Sequence, residues 1–542
     1  ISCQHIDGDI FARPVVSMNR IFSAQGYRFY QSSYDEDLEG SWLSVNYDPW
    51  GTGITYTGFC LMGLGCLLLL CARDGGFRRL LRHPLIRKGG LFLIALFGGC
   101  QLKADPALPV VKRVQADSLA IQQVVYNDRV APFNTLARDF IQKIYGRPSF
   151  HGITPEQVVS SWMLYPEEWN RTPIIRIKNQ ELRTALGLKE EYASLNHLFD
   201  GTQYKLQPLW QREQGNRSKL AQAIQETDEK VGLILMLRQG TLVRPLPPDV
   251  TPLSTQKVNA ELWYNRIPFS KILFMVNLTL GFAAFGLFMF RMLTGRKEKA
   301  VSRRVWGTAL CLTTLFHATG YALRGYIRSG FPLSNGYETM QFVALAVLLT
   351  ACLLQRRFPF TRPFGFLLSG FTLLVAYLGE MNPQITPLMP VLASPWLSWH
   401  VSLIMISYGL FAFTFLNGIL ALCLIGKQKN TASPITGEQI EQLTLLSRFL
   451  LYPGTFLLGT GIVLGAVWAN VSWGSYWSWD PKEVWALAAF IIYGISFHQK
   501  SLPYFQRPWL FHGYMIFAFA VVLMTYFGVN YLLGGMHSYA NS

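Results

Sequence analysis

Long apolar runs fall near residues 52–71, 270–290, 305–326, 338–355, 362–380, 400–425, 450–469, 484–498 and 509–531, separated by short polar stretches. A helix needs roughly 17 to 25 mostly apolar residues to cross a bilayer, so this pattern predicts membrane spans. A further run at 90–101, GLFLIALFGGCQ, is short for a span. It is kept as a short or signal-like helix because the charge pattern asks for one crossing there. Between 102 and 268 the pattern changes to mixed charge with helical stretches such as FNTLARDFIQKIYG and SKLAQAIQETDEKVGLILML, closed by the Pro-rich VRPLPPDVTPL. This predicts a mostly α-helical extramembrane domain and a linker. Ahead of the first span, YRFYQSSYD and SWLSVNYD are aromatic-rich and broken by Gly and Asp, which predicts strands. The chain opens at Ile1 inside what reads as the tail of a β-rich extracytoplasmic domain, so its start is expected to be missing. The expected fold class is an α-helical polytopic membrane protein of about ten spans, with an extramembrane α domain and the end of a β-rich one.

Composition agrees: half of the 542 residues are apolar and the formal charge is +16. That charge needs no nucleic acid, because its basic clusters lie at span ends: CARDGGFRRLLRHPLIRK, RMLTGRKEKAVSRR, QRRFPFTR, GKQKN and HQKSLPYFQR. The alternate short loops hold only Arg328 and Lys482, so the basic set is expected in the cytoplasm. Residues 1–50, 102–268, 327–337, 381–399, 470–483 and 532–542 then face the other side. The eight cysteines sit mostly in or beside spans and never as CxxC, which implies neither a disulfide framework nor a zinc site. Nothing in 102–268 spells a catalytic motif, and His151 and His197 read as surface or packing residues.

The chemistry concentrates in VSWGSYWSWDPKEVW, residues 471–485. Asp480, Pro481 and Glu483 form a helix start, with Asp at the N-cap, Pro in the first helical position and Glu able to reach back. Capping and interfacial anchoring leave the indole density unexplained, since Trp468, Trp473, Trp477, Trp479 and Trp485 exceed what one helix needs. A functional reading is an apolar aromatic shelf for a large planar ligand. His400, after SPWLSW, and His537, in LLGGMHSY, fall at the same membrane face by topology. Two neutral imidazoles beside an aromatic platform are what bis-axial ligation of haem iron requires. His498 lies fourteen residues beyond Val484, about 21 Å deeper on a continuous helix. Its ligand and interface readings stand level, given Gln499 and Lys500 beside it. His317, mid-span near Thr313 and Thr314, reads as a satisfied core residue. Arg324 and Arg328 sit where a porphyrin carboxylate could be met, with snorkelling to the interface as the alternative. Asn335 with Glu338 reads as a capping box.

WGSYWSWDPKEVW resembles the WWD motif of haem-handling membrane proteins. PLSNGYET and SWHVSLIMISYGL before it, and IIYGISFHQK and GGMHSY after it, appear in the order seen in the CcsA (ResC) branch of cytochrome c biogenesis, and YDPWGTGITYTGFCLMGLGCLLLL resembles the closing span of CcsB (ResB). The chain thus resembles a fused CcsB/CcsA system II cytochrome c synthetase, least so over 102–268. The resemblance implies a domain order: 1–50 the end of a CcsB-like β-rich domain, 51–101 its last span with a basic loop and short span, 102–268 an extracytoplasmic domain, and 269–542 the CcsA-like membrane domain.

It further implies haem b (iron protoporphyrin IX) as the bound group, external ligands at His400 and His537, an intramembrane one at His498, and haem contacts at Trp473, Gly474, Trp477, Trp479 and Asp480, with Arg324 a candidate for a carboxylate. The family's other intramembrane histidine would precede Ile1, and His83, in a basic loop, is no substitute. The implied job is to move haem across a bacterial inner membrane and present it at the periplasmic face, where the thiols of a CxxCH motif in apocytochrome c add to it. No catalytic residue of its own is needed, because the substrate brings the thiols. Thiol-disulfide oxidoreductases that keep CxxCH reduced are the further implied partners. A haem carrier without ligase activity, a solute transporter that receives an anion at the Asp480 helix start, and an electron-transfer haem subunit remain as alternatives. The carboxylate of Asp480 opposes the second, and the third ordinarily pairs histidines within the bundle.

Overall fold

The computed structural model describes residues 3–4, 10–12, 16, 21–34, 41–72, 75–82, 108–201, 203–213, 218–294, 296–379, 381, 383–386, 394–430 and 434–533. The short run at 90–101 and His537 lie outside the described residues. Strands Tyr27–Tyr34 and Ser41–Asn46 pair antiparallel with a register shift between Gln31 and Ser33, and Phe22–Ala24 pairs with the former. Both strand expectations therefore hold. Helix α1 (Pro49–Cys71) follows directly, capped by Asp48, whose carboxylate accepts from the Gly51 amide at 2.7 Å. A short α2 (Gly76–Arg82) comes next.

Residues 108–266 build a core of their own. Its helices are α3 (Arg113–Ala120), α4 (Phe133–Tyr145), α5 (Pro155–Leu164), α6 (Pro166–Arg171), α7 (Gln180–Ala185), α8 (Gln207–Glu213), α9 (Lys219–Arg238) and α10 (Thr255–Arg266). Phe140, Ile144, Trp162, Trp169 and Ile234 are buried at its centre, and a three-stranded sheet of Gln123–Tyr126, Arg129–Pro132 and Arg244–Pro245 lies beside them. The mostly helical expectation holds, with short sheets added.

The membrane part contains α11 (Phe269–Thr294), α12 (Ala300–Arg328), α13 (Gly336–Leu354), α14 (Thr361–Leu378), α15 (Pro395–Asn430), α16 (Pro434–Trp473), α17 (Pro481–Ile495) and α18 (Pro508–Leu523), the last continuing as a π-helix over Met524–Leu533. Among the described residues, seven helices are long and apolar enough to cross a membrane. Every apolar run expected outside 90–101 falls on a helix, although the run at 484–498 outlasts its helix by three residues. Two helices fall short of that standard: α12, which carries Arg324 and His317 in its buried face, and α17, with only fifteen residues. Helices α15 and α16 pack closely through Ile404, Tyr408, Phe411, Leu451 and Leu458, and α18 joins them with Phe511, Met515 and Val522. The Tyr493 ring of α17 stacks on Phe411, centroids 3.6 Å apart. This four-helix group carries the tryptophan loop at one end.

Candidate functional site

The loop begins where α16 ends. Gly474 takes φ +78°, and a Cβ there would lie 2.7 Å from the Tyr30 ring, so both backbone conformation and space call for glycine. The chain then runs to Trp479, at φ +59°, a left-handed conformation uncommon for a bulky residue. Asp480 caps α17 as its sequence predicts. Its carboxylate accepts from the Lys482 amide at 3.2 Å, and the Glu483 carboxylate accepts from the Asp480 amide at 3.2 Å and from the Ser478 amide at 2.9 Å. Asp480 is buried, which makes its structural role explicit.

The indoles do not form one plane. Trp468 is buried and meets Trp473 with centroids 4.8 Å apart and planes at 65°, so this pair underlies the loop. Trp477 and Trp479 meet nearly edge to face, at 6.0 Å and 87°, and Trp479 is 73% exposed. Trp485 packs into the α15–α18 core instead. The expected shelf is thus a stepped arrangement: an anchored lower pair and an exposed upper indole.

Residues more than four hundred positions upstream hold the loop in place. The Asn46 amide donates to the Gly474 carbonyl at 2.8 Å, and Tyr30, buried, packs beneath it. Burial pushes the Tyr30 phenol above its ordinary pKa, and its buried hydroxyl has no hydrogen-bond partner among the described residues. Tyr56 and Phe59 of α1 meet Tyr476 edge-on at 5.8 and 6.1 Å. On the other flank, the Lys482 ammonium donates to Asn530 at 3.1 Å. Sequence reading missed Tyr30, Asn46 and Tyr56, since no local pattern couples them to the loop.

His400 lies in the second turn of α15, against Gly461 and Gly465 of α16. A Cβ at Gly465 would come within 2.6 Å of the imidazole. Its Nδ1 donates to the Gly461 carbonyl at 2.7 Å, which places the lone pair on Nε2. A histidine tied through one nitrogen to a carbonyl is oriented for ligation through the other. Gly465 precedes Trp473 by eight residues on the same helix, about 12 Å along its axis. His400 therefore sits below the loop within the helix pair, deeper than its expected place at the span's outer end.

His498 is corrected from a helical to a turn position. α17 ends at Ile495, because the amides of Ser496, Phe497 and His498 bond back only three residues. His498 is exposed there, at the opposite end of α17 from the tryptophan loop. His317 is buried with Nε2 3.0 Å from Gln341 Oε1, so it is half satisfied, since its buried Nδ1 has no hydrogen-bond partner among the described residues. His512, which sequence reading passed over inside an apolar run, is fully buried with Nε2 2.9 Å from the Thr444 hydroxyl.

Arg324 is bound within the protein. It donates to Glu338 at 2.7 Å, to the carbonyls of Pro383 and Gln384 at 2.7 and 2.9 Å, and to the Tyr264 hydroxyl at 3.2 Å. The carboxylate it meets in this structure belongs to the protein. Glu338 also accepts from Arg328 at 2.7 Å. Its amide is capped by Asn335, while its carboxylate reaches Ser334, one residue earlier than the expected box. Arg129 holds the next carbonyl, of Ile385, at 2.8 Å, and is itself paired with buried Glu261. Two arginines thus fix the segment that follows α14 on the way to α15 and His400.

These features define a polytopic membrane protein with an anchored tryptophan loop above an oriented histidine. Residues 333–537 match the model of the cytochrome C assembly protein family. Protein NrfI of Wolinella succinogenes is 32% identical over 97% of this chain and 67% of its own length. The cytochrome c biogenesis proteins CcsA of Synechococcus sp. (strain CC9902) and Prochlorococcus marinus (strain NATL2A) are each 32% identical over 48% of this chain, covering 95% and 93% of their own lengths. The chain belongs to the fused CcsB/CcsA family of system II cytochrome c biogenesis proteins. Its role is in cytochrome c biogenesis, a process that handles haem and acts on apocytochrome c in a membrane setting.

Proposed function

We propose that this protein is a holocytochrome c synthase that receives haem b and presents it for thioether formation. Haem is cargo here. Trp473, Gly474, Trp477 and Trp479 form its cradle, His400 and His537 are its axial ligands, and His498 is a ligand on the way across. Asp480 serves the cradle by capping α17. The observation that carries the reading is His400: its Nδ1 bond to the Gly461 carbonyl orients Nε2 as a ligand beneath a loop whose outermost indole is exposed. A planar, largely apolar macrocycle gains contact area from such indoles at low entropic cost. In the attachment step each substrate thiol adds its sulfur to one vinyl carbon and its hydrogen to the other, so the bond-forming step consumes no oxidant. The protein contributes orientation and proximity, and releases one axial ligand to the substrate histidine.

In this reading residues 1–50 and 102–268 lie with the loop on the periplasmic side of a bacterial inner membrane, 51–101 supply the last CcsB-like span, and 269–542 form the CcsA-like membrane domain. Oxidoreductases that keep CxxCH reduced supply the substrate. The test is co-production of the full-length protein with a CxxCH apocytochrome and, as control, its AxxAH variant, followed by haem staining after denaturation. Attachment to CxxCH only, reduced severalfold by Trp479→Ala, is expected. Haem that copurifies with the protein and is never attached would favour a carrier without ligase activity.

A further inference from the structure

A second site lies at the opposite end of the bundle from the tryptophan loop, in a cleft of about 300 Å³ between α11, α14, α15 and α16. Its mouth is basic. Arg291 and Arg362 donate to the single carboxylate of Glu298 at 3.2 and 2.7 Å, and Arg303 stands 3.9 Å from it. Three guanidiniums around one carboxylate leave positive charge uncompensated, and exposed Arg296 and Lys297 add to it. Glu438 on the far wall offsets only part of this. Below the mouth the lining turns apolar: Phe288 and Ala284 lie about 4 and 10 Å deeper than Arg291 along α11, facing Leu420 and Leu424. Trp306 lines the same cleft, an amphipathic residue suited to headgroup depth. Gln439 adds a buried carbonyl oxygen with no donor among the described residues.

We propose that this cleft binds an anionic phospholipid, with its phosphate at Arg291, Arg296 and Lys297, a headgroup hydroxyl donating to Gln439 Oε1, and an acyl chain along α11. Basic clefts between helices at a membrane surface favour anionic headgroups, and the grading from charged mouth to apolar depth matches an amphiphile. Among the described residues the cleft offers no imidazole or thiolate for iron, which distinguishes it from the proposed haem sites. The bound lipid joins the α11–α12 connection, through Glu298, to the start of α14 at Arg362 and to the start of α16.

The test uses the full-length protein, delipidated in detergent, with melting temperature read after adding phosphatidylglycerol or phosphatidylcholine in mixed micelles. A rise with phosphatidylglycerol only, absent in Arg296→Gln/Lys297→Gln, is expected. Those two side chains are exposed and form no ion pair with Glu298, so the variant should fold. Equal rises with both lipids, a rise that survives in the variant, or the same rise with glycerol phosphate would overturn the proposal. Displacement of the lipid effect by haemin would also overturn it, by making the cleft a porphyrin site.

Discussion

Asp480 sits inside the loop that the functional reading makes a haem cradle, yet its bonds with Glu483 and Lys482 belong to a helix terminus. Asparagine caps as well as aspartate, whereas alanine costs about 0.5 to 2 kcal/mol at such a position. Asp480→Asn is therefore expected to keep the melting temperature and haem content of the wild type, while Asp480→Ala lowers both, measured on purified protein. Loss of haem in a stable Asp480→Asn variant would assign the carboxylate a direct role. This cap was legible from Asp, Pro and Glu in a row, because its partners lie within three residues. The arginine at 324 was not legible, because its acceptors sit on α13, on α10 and beyond α14.

At the scale of elements, the same arginine fixes the end of α12 and the start of α13 to the carbonyls of Pro383 and Gln384. Removing one member of a buried, hydrogen-bonded ion pair typically costs about 3 to 5 kcal/mol. Arg324→Met should fall in that range, read as loss of folded protein in thermal or denaturant melts. Arg324→Lys should recover only part of it, since an ammonium cannot reproduce the guanidinium's spread of donors. Near-wild-type stability of Arg324→Lys would show that charge alone suffices. Hydropathy located the helices because burial in lipid acts through length and apolarity alone. It misplaced the end of α17, where three-residue bonding unwinds the helix before His498.

Across the molecule, the unit at 108–266 touches the membrane part through polar contacts around Gln384 and Ile385. Asp139 of α4 lies in that contact, and burial raises its pKa to about 6 against the opposing pull of Arg138 and Arg129, with Glu261 adding to the rise. A folded-state pKa above the unfolded value, near 4, means a stabilising contribution present at low pH and lost as pH climbs from about 4 through 6. Asp139→Asn, which cannot ionise, should therefore melt progressively higher than wild type across that interval, with a constant difference above it. Parallel pH profiles for the two proteins would remove Asp139 from the account. The clamp of Tyr30 and Asn46 on Gly474 belongs to this scale as well. It joins positions whose pairing depends on the whole fold, so sequence reading found both partners' elements and missed their contact.

The most direct test of the central claim is the reduced absorption spectrum of the detergent-purified full-length protein, wild type against His400→Ala/His537→Ala. A low-spin bis-imidazole haem spectrum in the wild type that is lost in the double variant is the predicted result. A folded wild type that carries no haem, or a double variant with an unchanged spectrum, would contradict it.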